Sequence, residues 1–440
     1  MTFKQNLVKA RSHLVLIVGI LVAFSAVVTI ERHSPSVLLT GAGAAEAIIV
    51  TSSDEPPLPA PRPLSDQERE WAEIAWRYFV NNTQPATGLV NSVDGFPSST
   101  MWDTASYLMA AIAAQRIGLL PRDEFDRRIR AALASLARMP LFQNQLPNKA
   151  YDTQSLSMVD YANHQATDGI GWSAIDIGRL EVPFNILVWA YPELTDAVRA
   201  VTARWSLPAL VENGELVGAS RSGGKVQRTQ EGRLGYEQYA ARTLLLVGVD
   251  CAVSAAYTHR LGYVDVYGVP VPIDVRDPSH FGAQNYVVSE PYVLYGLEFG
   301  LGGASEEFTW RLLKVQEARY RATGQLTAVT EDHIDQKPYF VYNSIYSGGK
   351  TWVTITGTGE DASSFRSLST KAAFGWHALY RSEYTHQLVG KVDQLYDPTK
   401  GWYAGRYEKT GLPNKALNAN TNAVVLESLA YIEKGPLLSF

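Results

Sequence analysis

At 440 residues, with 46% hydrophobic and 19% charged side chains, the chain has a globular composition and material for one large domain or two ordinary ones. A formal charge of −5 and the lack of a long basic run give no general reason to bind nucleic acid. One cysteine, Cys251, excludes an internal disulfide framework and a Cys-rich metal site, and in its apolar surroundings it reads as core.

Lys4, Lys9 and Arg11 precede an apolar run from Leu14 to Ile30. This is an export-type pattern over residues 1–34, either a signal anchor or a signal peptide cut near Gly41 to Ala45. The anchor is favoured. The flanking positive charge keeps the N-terminus cytoplasmic and sends the remainder to the periplasm, with residues 14–30 in the inner membrane. Residues 35–64 form a linker in which Pro56, Pro57, Pro59, Pro61 and Pro63 predict a stiff extended spacer. A single domain is expected over 65–440, opening with a capping box from Ser65 to Glu68 ahead of Trp71, Ile74, Tyr78 and Phe79.

Two kinds of helix alternate from there. Amphipathic helices with one apolar stripe are expected near 65–81, 121–138, 192–205 and 304–322, and belong on an outer surface. Others are nearly free of charge along their length: Trp102 to Ile117, Ser173 to Ala190, Tyr236 to about Ala256, Ser289 to Phe299, Ser369 to Tyr380 and Thr421 to Ile432. A helix that is apolar all round must be buried on every side, so the alternation predicts a double-layered helical toroid. No outer partner is visible between the third and fourth inner helices, where Gly262 to Asp277 reads as extended chain or a hairpin. Phe142 to Trp172 and Leu326 to Thr358 read as β or loop insertions, the second turning at Gly348-Gly349, and would wall the mouth of the ring.

The inner helices open on polar groups: Asp103, Asp176, Glu237, Ser289-Glu290-Pro291 with Ser289 as cap, Lys371, and Asn420. Glycosidic cleavage by the usual route needs two carboxyls, one protonated and one ionised. Glu290 and Glu237 are the first candidates, followed by Asp103, Asp176 and Glu331, the last in an acidic loop Glu331-Asp332-His333. An acid in a helix's first turn is equally explained by the helix dipole. Trp102, Trp172, Tyr236 and Tyr292 are candidates for stacking or orienting sugar rings, within a set of ten Trp and 23 Tyr. Arg179 and Arg242 interrupt apolar helices and are expected to pair with inner carboxylates, Arg179 beside the substrate, with Asn420 contacting it too. The spacing of Glu331, Asp332, His333 and Asp335 fits no metal motif, phosphate-loop order is absent and no G-x-S-x-G elbow occurs, so neither metal nor cofactor is expected.

Several motifs in order resemble one bacterial family. Gly171 to Leu180 (GWSAIDIGRL), Gly235 to Ala241 (GYEQYAA), Ser289-Glu290-Pro291-Tyr292, Thr323 to Ala328 (TGQLTA) and Asn420 to Glu427 (NTNAVVLE) resemble the family catalogued as domain of unknown function 3131, across Trp71 to Gly435. The architecture is similar to that of glycoamylase-like and endo-β-1,2-glucanase toroids. That similarity implies an (α/α)6 fold and a glycan substrate; with the residue patterns above, the expected fold class is all-α dominated with small β insertions, after an N-terminal hydrophobic helix. The expected function is an exported glycoside hydrolase-like enzyme on a bacterial polysaccharide or glucan. The rivals are a non-catalytic glycan-binding or scaffold protein of envelope assembly and a polysaccharide lyase.

Overall fold

The computed structural model describes residues 51–281 and 283–438, together with Ile49 and the strand backbone of Val37–Leu38. The expected membrane segment at 14–30 and the cleavage region at 41–45 lie outside the described residues. Among the described residues no helix is long and apolar enough to cross a membrane.

Among the described residues eleven helices of two turns or more carry the fold: α1 Asp66–Asn82, α2 Met101–Arg116, α3 Arg122–Leu136, α4 Ala174–Ala190, α5 Thr195–Thr202, α6 Tyr236–Leu246, α7 Glu290–Phe299, α8 Ala304–Thr323, α9 Thr370–Leu379, α10 Glu383–Val392 and α11 Ala419–Lys434. Six of them close a ring by packing in the order α2, α4, α6, α7, α9, α11 and back to α2. These are the six charge-poor helices, and in α2 every side chain from Asp103 to Ala114 is buried. Glycines set how close neighbours come. A Cβ at Gly178 of α4 would stand 2.6 Å from Ala240 Cβ of α6, and one at Gly375 of α9 would stand 2.2 Å from Val293 of α7.

Outside the ring lie α1, α3, α5, α8 and α10, each with an apolar stripe inward. The Ser65–Glu68 capping box opens α1. Helix α10, too short and polar to stand out in the sequence, completes the layer beside α9. Between α6 and α7 the outer position is held by the hairpin Leu261–Val266 and Val269–Asp274, in the place where the sequence shows extended chain. The second insertion folds as an antiparallel sheet of Glu331–His333, Phe340–Ser347 and Lys350–Ile355. An unanticipated hairpin, Glu215–Ser222 with Lys225–Gln230, precedes α6.

Three local expectations change. The helix expected over 236–256 stops at Leu246, because Gly248 adopts φ +83° and turns the chain. Ser289 does not cap α7: its Oγ donates to Val329 O at 2.7 Å and accepts from Trp376 Nε1 at 3.2 Å, bolting the helix to its neighbours. The Pro-rich stretch runs along the ring instead of standing away from it. Tyr380 donates to Glu55 (3.0 Å), Arg62 N–H to Ile432 O (2.8 Å) and Arg381 to Ala60 O (3.2 Å). These contacts fall at the C-terminal ends of α9 and α11, the face opposite the helix mouths.

Candidate functional site

The N-terminal ends of the inner helices gather on one face, and those of α2, α4 and α11 are fixed by side-chain caps. Thr100 Oγ1 accepts Asp103 N–H (3.0 Å) and donates to Asp103 Oδ2 (2.9 Å) at α2. Ser173 Oγ accepts Asp176 N–H (3.1 Å) at α4, and Asn418 caps α11 through Thr421 N–H (2.7 Å). First-turn acids gain from the free N–H groups and the positive end of the helix dipole, so the caps and the acids reinforce each other.

Two groups of carboxyls differ in what balances their charge. In the first, Lys371 at the start of α9 bonds Glu290, whose other oxygen accepts from Asn420 Nδ2 at 2.6 Å. Lys371 also faces Glu331 and Asp332. One ammonium cannot neutralise three carboxylates. Burial therefore drives Asp332 well above the usual carboxylate range and raises Glu331, while Ser369 donates to Asp332 Oδ1 at 3.0 Å. His333 is lowered by burial beside them. A cavity with room for about one water lies among Glu290, Thr330, Lys371 and Val424.

The second group is Asp103, Asp176 and Glu231, and among the described residues none of the three makes an ion pair. Glu231 accepts Ala174 N–H at 2.6 Å, placing its carboxylate on the mouth of α4 beside Asp176. Burial, then the charges of Glu231 and Asp103, push Asp176 up to about 7. Burial also raises Glu231, against hydrogen bonds from Ser173 and Ala174.

Glu237 lies elsewhere. Its carboxylate is bound by Arg276 and also accepts from Gln230 Nε2 (2.7 Å) and Ser254 Oγ (3.1 Å), while Arg276 holds Asp274 at 2.5 Å. The first-turn acid of α6 thus belongs to a buried cluster tying α6 to the 261–274 hairpin. Arg179 is likewise deep in the ring, bound to Glu298 (2.8 Å), Glu427 (3.4 Å) and the Tyr239 hydroxyl (2.6 Å). Its partners are carboxylates within the ring and not those at the mouths. Arg242 is exposed, contrary to its place in an apolar run.

The predicted aromatics divide in the same way. Trp102 is half-buried over Arg179 (4.7 Å to the ring centre) and meets Tyr236 edge-on at 5.6 Å. Trp172 and Tyr292 are core: Trp172 is 1% exposed, donating to Val217 O at 3.1 Å, and Tyr292 is 3% exposed against Gly235. The rings at the mouth are others. Tyr161, from the first insertion, is 66% exposed, and its hydroxyl is raised by burial and then by the charges of Asp176 and Glu231. Tyr342, from the second, stacks on Tyr286 with centres 4.0 Å apart and planes 5° from parallel.

Glu231, Tyr161, Tyr286 and Tyr342 went unseen because they sit in loops and strands, outside any helical period. Lys371 left a signal: a cation in a helix's first turn opposes the dipole and calls for acids nearby. Among the described residues no group of three or more His, Cys, Asp or Glu side chains is arranged to hold a metal.

Residues 70–435 match the model of the family described as "Protein of unknown function (DUF3131)". No curated protein matches the sequence. In solved structures the fold recurs in an endo-β-1,2-glucanase from Chitinophaga pinensis bound to sophorotriose and glucose, with TM-score 0.58 and 9% identity over 85% of this chain and 94% of that one. A β-1,2-glucanase from Parabacteroides distasonis gives TM-score 0.58 and 10% identity over 85% of this chain and 58% of that one. A glucoamylase candidate from Bacteroides uniformis gives TM-score 0.60 and 9% identity over 86% and 94%. At such identity the likeness establishes the fold, a glycoside hydrolase-like helical ring.

Proposed function

The chain belongs to the DUF3131 family, and from that premise we propose that it is a glycoside hydrolase-like enzyme acting on a bacterial polysaccharide or glucan. The carrying observation is the contrast in charge balance. Glu237, Glu298 and Glu307 are buried with an arginine on each, while Asp103, Asp176 and Glu231 share the mouth with none. Buried carboxylates that serve only structure are paired, because an uncompensated charge is costly. Leaving three unpaired on the open face fits chemistry in which one carboxyl carries a proton at neutral pH and another does not.

Asp176 is the proton donor in this reading, protonated up to pH about 7. Glu231 is the base in this reading: the Ala174 N–H that it accepts at 2.6 Å favours its ionised form, against the burial that raises it. Asp176 gives its proton to the glycosidic oxygen as the bond to the anomeric carbon breaks. Water bonds to that carbon and its proton passes to Glu231. Asp103 supplies charge that keeps Asp176 protonated. Glu290, with both oxygens taken by Lys371 and Asn420, and Glu237, held by Arg276, are left out of the proton transfer. Export to the periplasm with residues 14–30 as anchor completes the proposal, supported by the basic-then-apolar order of the N-terminal sequence.

The non-catalytic reading, a glycan-binding or scaffold protein, draws support from Glu290 and Glu237 being ion-paired. Reducing-end release across linear and cyclic glucans and secreted polysaccharides separates the two. Release by the native chain, lost in Asp176→Asn and Glu231→Gln but kept in Glu237→Gln variants that remain folded, is the expected result. Release that survives both of the first substitutions refutes the assignment, and binding without release favours the scaffold.

A further inference from the structure

We propose that Trp102 is the floor of the glycan site, lying across the mouth of the bore with its outward face stacked against one pyranose ring of the substrate. The proposal rests on the glycan-binding part of the function above and names where the sugar sits. The floor is built on Arg179. From α4 the Arg179 guanidinium bonds the Tyr239 hydroxyl of α6 (2.6 Å), Glu298 of α7 (2.8 Å), and Glu427 of α11 and Ser106 Oγ of α2 (both 3.4 Å). A group tied to four other inner helices stands on the axis of the ring, and with 0% exposure it stoppers the bore at its level. Arg179 is the sixth residue of α4, so its backbone lies roughly 7–8 Å below the helix mouth.

Trp102 covers that stopper. Its ring centre is 4.7 Å from the guanidinium carbon, and the ring meets Tyr239 at 6.0 Å and Tyr236 edge-on at 5.6 Å. Trp102 is in the first turn of α2, where side chains tilt toward the N-terminal end, so it lies on the mouth side of Arg179. One face of the indole is thus taken by the cation, and contacts from α4 and α6 hold the ring in place. The other face keeps the residue half-exposed, because solvent cannot pass the buried Arg179 and reaches Trp102 from the mouth. Packing alone does not account for this: Trp172, Trp376 and Trp402, which hold the ring together, are fully buried. The same spot offers polar partners. The Tyr236 hydroxyl is buried and makes no hydrogen bond among the described residues. Asp103 follows Trp102 in the chain, and Asp176, three residues before Arg179, stands one turn nearer the mouth on the same face of α4. A flat apolar face fixed beside hydroxyl and carboxyl groups suits the axial C–H face and equatorial hydroxyls of a pyranose, at little entropic cost.

The test is isothermal titration of linear β-1,2-, β-1,3- and β-1,4-glucan oligosaccharides into the full-length native chain and its Trp102→Phe, Trp102→Leu and Trp189→Leu variants, beside a reducing-end assay. Leucine keeps apolar bulk over Arg179 but has no flat face. Trp189, 44% exposed at the C-terminal end of α4, is the control on the opposite face. For a glycan that the native chain binds, Trp102→Leu should weaken binding by about tenfold or more, Trp102→Phe by less, and Trp189→Leu not at all. A second readout uses the native chain and needs no variant to fold. A saturating oligosaccharide should slow the oxidation of Trp102 by N-bromosuccinimide, followed by peptide mass spectrometry, and leave that of Trp189 unchanged. Unchanged binding in a folded Trp102→Leu variant, or equal oxidation of Trp102 with and without glycan, overturns the floor. So does failure of the native chain to bind any of these glycans. Floor-dependent binding without cleavage by the native chain leaves the floor standing and sinks the hydrolase reading instead.

Discussion

Replacing Arg179 with methionine should destabilise the ring by about 4 kcal/mol at neutral pH, because its guanidinium is the cation shared by two buried carboxyls. Arg179, Glu298 and Glu427 are all 0% exposed, on α4, α7 and α11, and Tyr239 of α6 completes the cluster. Burial, then the charge of Glu298, already drives Glu427 well above the usual carboxylate range. Without Arg179 the pair must bind one more proton than before. An additional proton costs nothing at the pKa of an unfolded glutamate, about 4.3, and about 1.4 kcal/mol per pH unit above it. The deficit is therefore about 1 kcal/mol at pH 5 and about 4 kcal/mol at pH 7, within the range for breaking a buried ion pair. Thermal and denaturant unfolding at both pH values measure it, with a midpoint fall of roughly 5–10 °C expected at pH 7. A loss under about 1 kcal/mol at pH 7, or an equal loss at both pH values, refutes the reasoning.

Other outcomes follow from particular contacts. Cleavage should decline above pH about 7 as Asp176 loses its proton, and Asp103→Asn, by removing a charge that raises Asp176, should move that limb of the pH–rate profile downward. Gly375→Ala should cost about 1–3 kcal/mol because its new Cβ would stand 2.2 Å from Val293 Cγ1. Adding Val293→Ala should then cost less than the sum of the single changes, measured as a coupling energy in unfolding. Glu55, in the docked N-terminal strap, is raised to about 7, chiefly by burial and then by Glu306, Glu307 and Asp54 against the Tyr380 hydrogen bond. A raised carboxyl stabilises the fold fully below its unfolded pKa and loses that contribution as pH climbs toward 7. Glu55→Gln should accordingly raise the melting temperature at pH 8 and leave it unchanged at pH 4.

The ring was legible in the chain because its cause is local. A helix without charge on any face can only be interior, and α2, α4, α6, α7, α9 and α11 declare that by composition alone. The missing outer helix was equally visible, since Val264, Val266, Val269 and Val271 alternate where a helical stripe would be needed. Asp176 appeared as one acid of five with nothing to rank it first. What ranks it is the neighbour Glu231, more than fifty residues along the chain, in a segment where no period marks a functional side chain.

Sequence by itself therefore determined which helices are buried, where their polar mouths fall, and that several acids share one face of the fold. Tertiary structure alone decided which acids are balanced: Arg276 reaches Glu237 from a hairpin, Lys371 reaches Glu290 from the next helix but one in sequence, and no cation among the described residues pairs with Asp103, Asp176 or Glu231. The physical reason is one of range. Helical burial is fixed by neighbours three and four residues apart, whereas the charge state of a carboxyl depends on whatever the folded chain brings within a few ångströms of it.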